Sequence, residues 1–103
     1  MGPADATDAI RKLAQSDQFD FCMTSHAKKQ ITKREIVTGD LLYLFKNGFV
    51  YEEPEPSTDP NYWKYKIQGE TPNSNQRQIA AVVIPDFQTN TLKIITIMWV
   101  DDT

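Results

Sequence analysis

His26 is the only histidine of the chain and stands at the head of the segment TSHAKKQITKREI, residues 24–36. An imidazole titrates near neutrality, so it can take up a proton and return it within one reaction cycle. A single histidine cannot build a histidine pair for a metal, and no triad partners are evident. Acid–base work is therefore the chemistry it could offer; the competing role is structural, a ring hydrogen bond that fixes the start of a helix. Arg34 follows Ala27 by seven residues and Ile31 by three, which puts it on the apolar side of a helix that runs so far. An inward guanidinium needs a carboxylate or backbone carbonyls, because an unpaired buried charge is costly. A structural clamp and a phosphate ligand are both open readings. Lys29 and Lys33, three and seven residues after His26, add positive charge to the helical stripe that it occupies.

A second set of candidates lies further on. In NYWKYKIQG the alternation sends Trp63, Tyr65 and Ile67 to one side of a strand and Tyr62, Lys64, Lys66 and Gln68 to the other. Two ammonium groups and a phenol at two-residue spacing suit a sugar-phosphate backbone, with Arg77 opening the next strand as a further cation. The alternative is a solvent-facing edge strand whose lysines block association with other chains. The carboxylates of Glu52–Asp59 and of Asp101 and Asp102 show no ligand spacing. They are read as solvating a loop and the chain end, and no metal or other cofactor is expected. Trp63 and Trp99 are read as core residues.

These residues must be positioned by a chain of 103 residues, enough for one modest core. Its 40% hydrophobic content suits a globular protein. The lone Cys22 excludes an intramolecular disulfide, and no apolar run approaches the ~18 residues of a spanning helix, so a soluble cytoplasmic protein with no membrane contact is expected. A formal charge of −3 argues against indiscriminate coating of nucleic acid. The charge is segregated: Lys28, Lys29, Lys33, Arg34 and Lys46 outnumber Glu35 and Asp40 in residues 24–46, and Glu52, Glu53, Glu55 and Asp59 follow.

ADATDAIRKLAQS predicts a helix with Ala6, Ala9, Ile10, Leu13 and Ala14 on one stripe, and QFDFC a short edge strand. A second helix should start at Thr24 or Ser25. Its end is open: either Thr32 and Glu35 form a capping box for a third helix, or Thr38 caps it and the break falls near residues 35–37. Asn47-Gly48 should stop that helix through a left-handed glycine. FVYEE, NYWKYKIQG, RQIAAVVIP and TLKIITIMWV then read as a strand meander separated by PEPSTDP, ETPNSNQ and DFQTN, the last two strands central with both faces largely covered. The expected architecture is one α+β domain over residues 4–103. Its N-terminal helices pack on one face of a four- to five-stranded, mainly antiparallel sheet.

In this order the pieces resemble domain-of-unknown-function family 4258, itself similar to RelE/BrnT-like toxins of bacterial toxin-antitoxin modules. The resemblance rests on His26-Ala27 as its HA pair, Arg34 and Ile36 as its R-x-I, Gly48 as the helix-ending glycine, Gly69 after YWKYKIQ, and LKIITIMWVDD as the closing strand. Gln30, Ile31 and Glu35 stand where relatives have arginine, methionine and glycine. The resemblance implies a RelE-like toxin fold and metal-independent cleavage of RNA, with His26 as acid or base and Arg34 near the phosphate. It also implies an antitoxin-like protein partner, and RNA or the ribosome as target. Lys29, Lys33, Tyr62, Lys64, Lys66 and Arg77 as RNA contacts follow from spacing alone. The competing expectation is a non-catalytic module on the same fold that docks another protein through the edge FVYEEPEP and its acidic loop.

Overall fold

The computed structural model describes residues 2–59 and 61–101. Asp102, one of the carboxylates read as solvating the chain end, lies outside the described residues. Helix α1 (Pro3–Ala14) carries proline in its first turn and buries Ala6, Ile10, Leu13 and Ala14 of the predicted stripe, with Ala9 half-buried at its margin. Strand β1 (Asp20–Met23) follows, then α2 (Ser25–Lys33), α3 (Thr38–Asn47), β2 (Phe49–Val50), β3 (Glu55–Pro56), β4 (Trp63–Glu70), β5 (Gln78–Asp86) and β6 (Thr91–Trp99). The class is α+β as expected, but the sheet has six strands rather than four or five. It is also mixed: in the order β1-β6-β5-β4-β2, β1 runs parallel to β6 and the other pairings are antiparallel. The expected strand FVYEE is only β2, and β3 forms inside the supposed turn PEPSTDP, pairing Glu55 with Lys64 and Pro56 with Trp63.

The three helices cover one sheet face. Phe45, Leu41, Leu44, Ile10, Ile67, Ile79, Leu92, Ile94 and Ile97 are fully buried between the layers, each such side chain contributing about 1.5–3 kcal/mol. Strand β6 meets this demand through a bulge. The register passes from Val82↔Thr96 to Val83↔Ile94, leaving Ile95 as the extra residue, so Ile94 and Ile97, three apart, both enter the core. Among the described residues the opposite face carries no helix, and Val82, Ile84, Ile95 and Met98 there are half-buried, so helices cover only one face of β5 and β6.

The break between α2 and α3 follows from backbone chemistry. Arg34 ends α2, Glu35 takes a left-handed φ of 55°, the Ile36 amide donates to Ile31 O and the Glu35 amide to Thr32 O. This is a Schellman closure with glutamate where glycine fits best. Thr38 is the first helical residue and not the cap; Val37 precedes it and gives no side-chain cap. Gly48 does not close α3 by a left-handed turn: its φ is −77° and ψ −178°. A β-carbon there would lie 2.7 Å from Leu44 O and 3.0 Å from Gln68 O, so glycine serves close packing of α3 on β4.

Two outcomes are expected in thermal denaturation. Glu35→Gly relieves the left-handed residue and raises stability by about 1 kcal/mol. Gly48→Ala forces α3 from β4 and costs about 1–3 kcal/mol. An unchanged midpoint for either would contradict the corresponding cause.

Candidate functional site

Helix α2 is held by the edge of β6. Strand β1 pairs with β6 only as far as Ile94, and beyond that point α2 supplies the partners. The Thr24 amide donates to Ile94 O, and its hydroxyl donates to Ile95 O while accepting from the Ala27 amide as the helix cap. Gln30 Oε1 accepts from the Ile97 amide at 2.8 Å, and Trp99 Nε1 donates to Arg34 O at 3.3 Å. Gln30 therefore extends the hydrogen bonding of the sheet edge beyond β1.

This docking orients the cations of α2. Ala27 and Ile31 enter the core, and Gln30 meets the edge of β6. His26 and Lys33 are four residues before and three after Gln30, on the flank turned away from Ile31. Both are exposed, as is Lys29 one step further round. Among the described residues the His26 ring has no hydrogen-bond partner, so the structural role of fixing the helix start falls to Thr24. Arg34 is half-buried, its Nε enclosed without a partner. The expected clamp is thus only its carbonyl, bonded to Trp99.

On the helix-free face Lys66, Val82 and Thr96 lie side by side across β4, β5 and β6, and Lys93 stands opposite Ile84. Lys64 and Lys66 are therefore on an internal strand, not an edge. They share a cleft with Glu52, Glu53 and Glu55; the acidic segment folds back beside the lysines. Two of the candidate residues go elsewhere, and one residue read as core does not enter it. Arg77 pairs with Asp101 at 2.8 Å and lies 4.1 Å over the Trp99 ring. Tyr62 donates to Asp86 Oδ2 at 3.1 Å, at the end of the sheet. Trp63, read as core, is 48% exposed. Lys93 adds a cation to this face from a mostly apolar strand, where its alternation with the buried Leu92 and Ile94 is the only local signal of its exposure.

The ionisation of this sheet end follows from its contacts. Burial pushes the Asp86 carboxyl up, but the Thr89 amide, the Tyr62 hydroxyl and the Gln88 amide together hold it below the usual carboxylate value of 3.8. The bond to Asp86 raises the Tyr62 phenol above 10.0, and the bond from Arg77 lowers Asp101. A carboxyl lowered by folding stabilises the protein above its unfolded value and loses that contribution as pH falls through the folded value. Asp86→Asn should therefore flatten the loss of stability below about pH 4 in acid-denaturation curves; an unaltered acid limb would contradict this. Among the described residues no three His, Cys, Asp or Glu side chains gather to hold a metal ion, and no helix is long and apolar enough to cross a membrane.

A family model described as "Domain of unknown function (DUF4258)" matches residues 23–99, from the last residue of β1 through the last of β6. No curated protein and no solved structure matches the chain.

Proposed function

The chain belongs to the DUF4258 family, and we propose that it is a metal-independent endoribonuclease of RelE/BrnT-like fold, which an antitoxin-like protein partner holds inactive in the cytoplasm. The observation that supports this reading best is the exposed imidazole of His26, without a hydrogen-bond partner among the described residues and one turn from Lys29 on the same helix. Thr24 and Gln30 anchor that helix to β6, so the ring is carried on a rigid element. Lys66 lies two strand spacings from Thr96, about 10 Å, within the breadth that an extended RNA strand crosses.

The chemistry is transesterification. His26 takes the proton of a ribose 2′-hydroxyl; O2′ bonds to the adjacent phosphorus, and the P–O5′ bond breaks. The products are a 2′,3′-cyclic phosphate and a 5′-hydroxyl, whose proton comes from a neighbouring ammonium group or water. Lys29, one turn from His26, offsets the charge that develops on the phosphoryl oxygens, with Lys33 further along the helix and Lys64, Lys66 and Lys93 on the sheet positioning the backbone. Tyr62 and Arg77, engaged with carboxylates, have no part in this step.

Purified protein with chelator present should cut RNA to 2′,3′-cyclic ends, and His26→Ala should slow cleavage by about 10²–10⁴-fold. Equal cleavage by parent and variant, or none by either, overturns the reading. The acidic segment makes a further prediction. Replacing Glu52, Glu53 and Glu55 by glutamine removes carboxylates beside Lys64 and Lys66 and should tighten RNA binding, with a steeper salt dependence in filter binding; an unaltered affinity would remove those lysines from the interface.

A non-catalytic binding module is favoured by a different feature, the exposed Phe49 and Tyr51, stacked 5.9 Å apart. Addition of a strand there is impeded at Val50, whose amide already bonds to Thr7 Oγ1 at 2.9 Å.

A further inference from the structure

The end of the sheet where β4 begins and β5 finishes bounds an open cleft of about 810 Å³. We propose that this cleft binds the guanidinium of an arginine side chain presented by a peptide or protein partner. Its base is Tyr65, buried, and its rim carries Trp63 and Phe87, respectively 48% and 46% exposed. The charged residues that line it are both acidic, Asp59 and Asp86.

Asp86 is fixed by the Tyr62 hydroxyl and by the amides of Gln88 and Thr89, so its carboxylate holds one orientation. Asp59 accepts from the Asn61 amide and sits in the same wall. Large aromatic side chains left in water beside two carboxylates have a definite chemical complement. A guanidinium lies flat on an aromatic face by cation–π attraction and donates in its own plane to a carboxylate. A phosphate or carboxylate ligand would meet like charge at short range. A neutral apolar ligand would strip water from both aspartates without returning hydrogen bonds. An ammonium can satisfy one carboxylate but covers less of the aromatic surface, which favours arginine over lysine.

Lys93 of the proposed RNA face lines an adjoining cleft with Asp59, Tyr62 and Asp86, whereas His26, Lys29, Lys33, Lys64 and Lys66 do not line this one, so the two readings can fail separately. The test is a ¹H–¹⁵N titration of the whole chain with N-acetylarginine methylamide, its neutral citrulline counterpart, agmatine and uridine monophosphate. The Trp63 indole reports the cleft, and the Trp99 indole, bonded to Arg34 O, is the internal reference. The arginine compound should move the Trp63 indole and the amides of residues 61–63 and 86–88. Citrulline should bind at least about tenfold more weakly, as should the arginine compound to Asp86→Asn and to Asp59→Asn. Equal shifts with citrulline overturn the proposal, as does indifference to both aspartate variants. Tighter binding of agmatine would replace a peptide source by a free small cation, and a response to uridine monophosphate alone would make the cleft a base-stacking site.

Discussion

A sheet edge inside a folded chain must find partners for its peptide groups, and the edge of β6 beyond Ile94 is where this requirement shapes the molecule. Strand β1 ends at Met23, four pairs into the ladder. The remaining length of β6 takes its hydrogen bonds from a helix instead, through the Thr24 hydroxyl to Ile95 O and through Gln30 to the Ile97 amide. A helix can meet a strand edge in this way only with side chains, since its own peptide groups are committed to its axis. The positions of Thr24 and Gln30, six residues apart, thereby set both the angle of α2 and the flank on which His26, Lys29 and Lys33 stand.

The other end of the sheet solves the same problem with different groups. Strand β2 is two residues long, and α1 reaches across to it: Thr7 Oγ1 accepts from the Val50 amide, while Arg11 donates through Nε to Gly48 O and through a terminal nitrogen to Asn47 O. The same guanidinium covers the Phe49 ring at 4.4 Å. These contacts hold the close approach of α3 to β4 at Gly48, and with it the register that sends Lys64 and Lys66 to the helix-free face.

Charge that is segregated along the chain is interleaved in space. The acidic segment around Glu52–Glu55 returns to β4 through the short strand β3 and lines a cleft with Lys64 and Lys66. The cations of α2 stand farther from it, on the β6 side of the sheet. The result is a sheet with moderated positive charge on its helix-free face and an aromatic, carboxylate-lined cleft at the Tyr62 end. An acidic chain can carry a basic working surface in this arrangement because the range of an exposed charge in salt water is only about 10 Å.

Sequence by itself determined the elements whose signal is local. The stripe of α1, the cap at Thr24, the alternation in β4 and the long apolar strands depend on neighbours a few residues apart, and Tyr65 and Ile67 fall in the core as their parity requires. Tertiary structure alone decided what depends on distant partners. The parallel pairing of β1 with β6 joins segments about seventy residues apart, and no local pattern encodes it. Strand β3 exists only because β4 offers it a ladder, with proline and glutamate that would otherwise read as turn. The bulge at Ile95 reconciles a run of apolar residues at both parities with a single covered face. The roles of Tyr62 and Arg77 were likewise fixed by Asp86 and Asp101, each twenty-four residues away, because a cation or phenol is read by the carboxylate that folding brings to it. Whether Trp63 is core or surface turned on the same cause, the point at which the helices cease to cover the sheet.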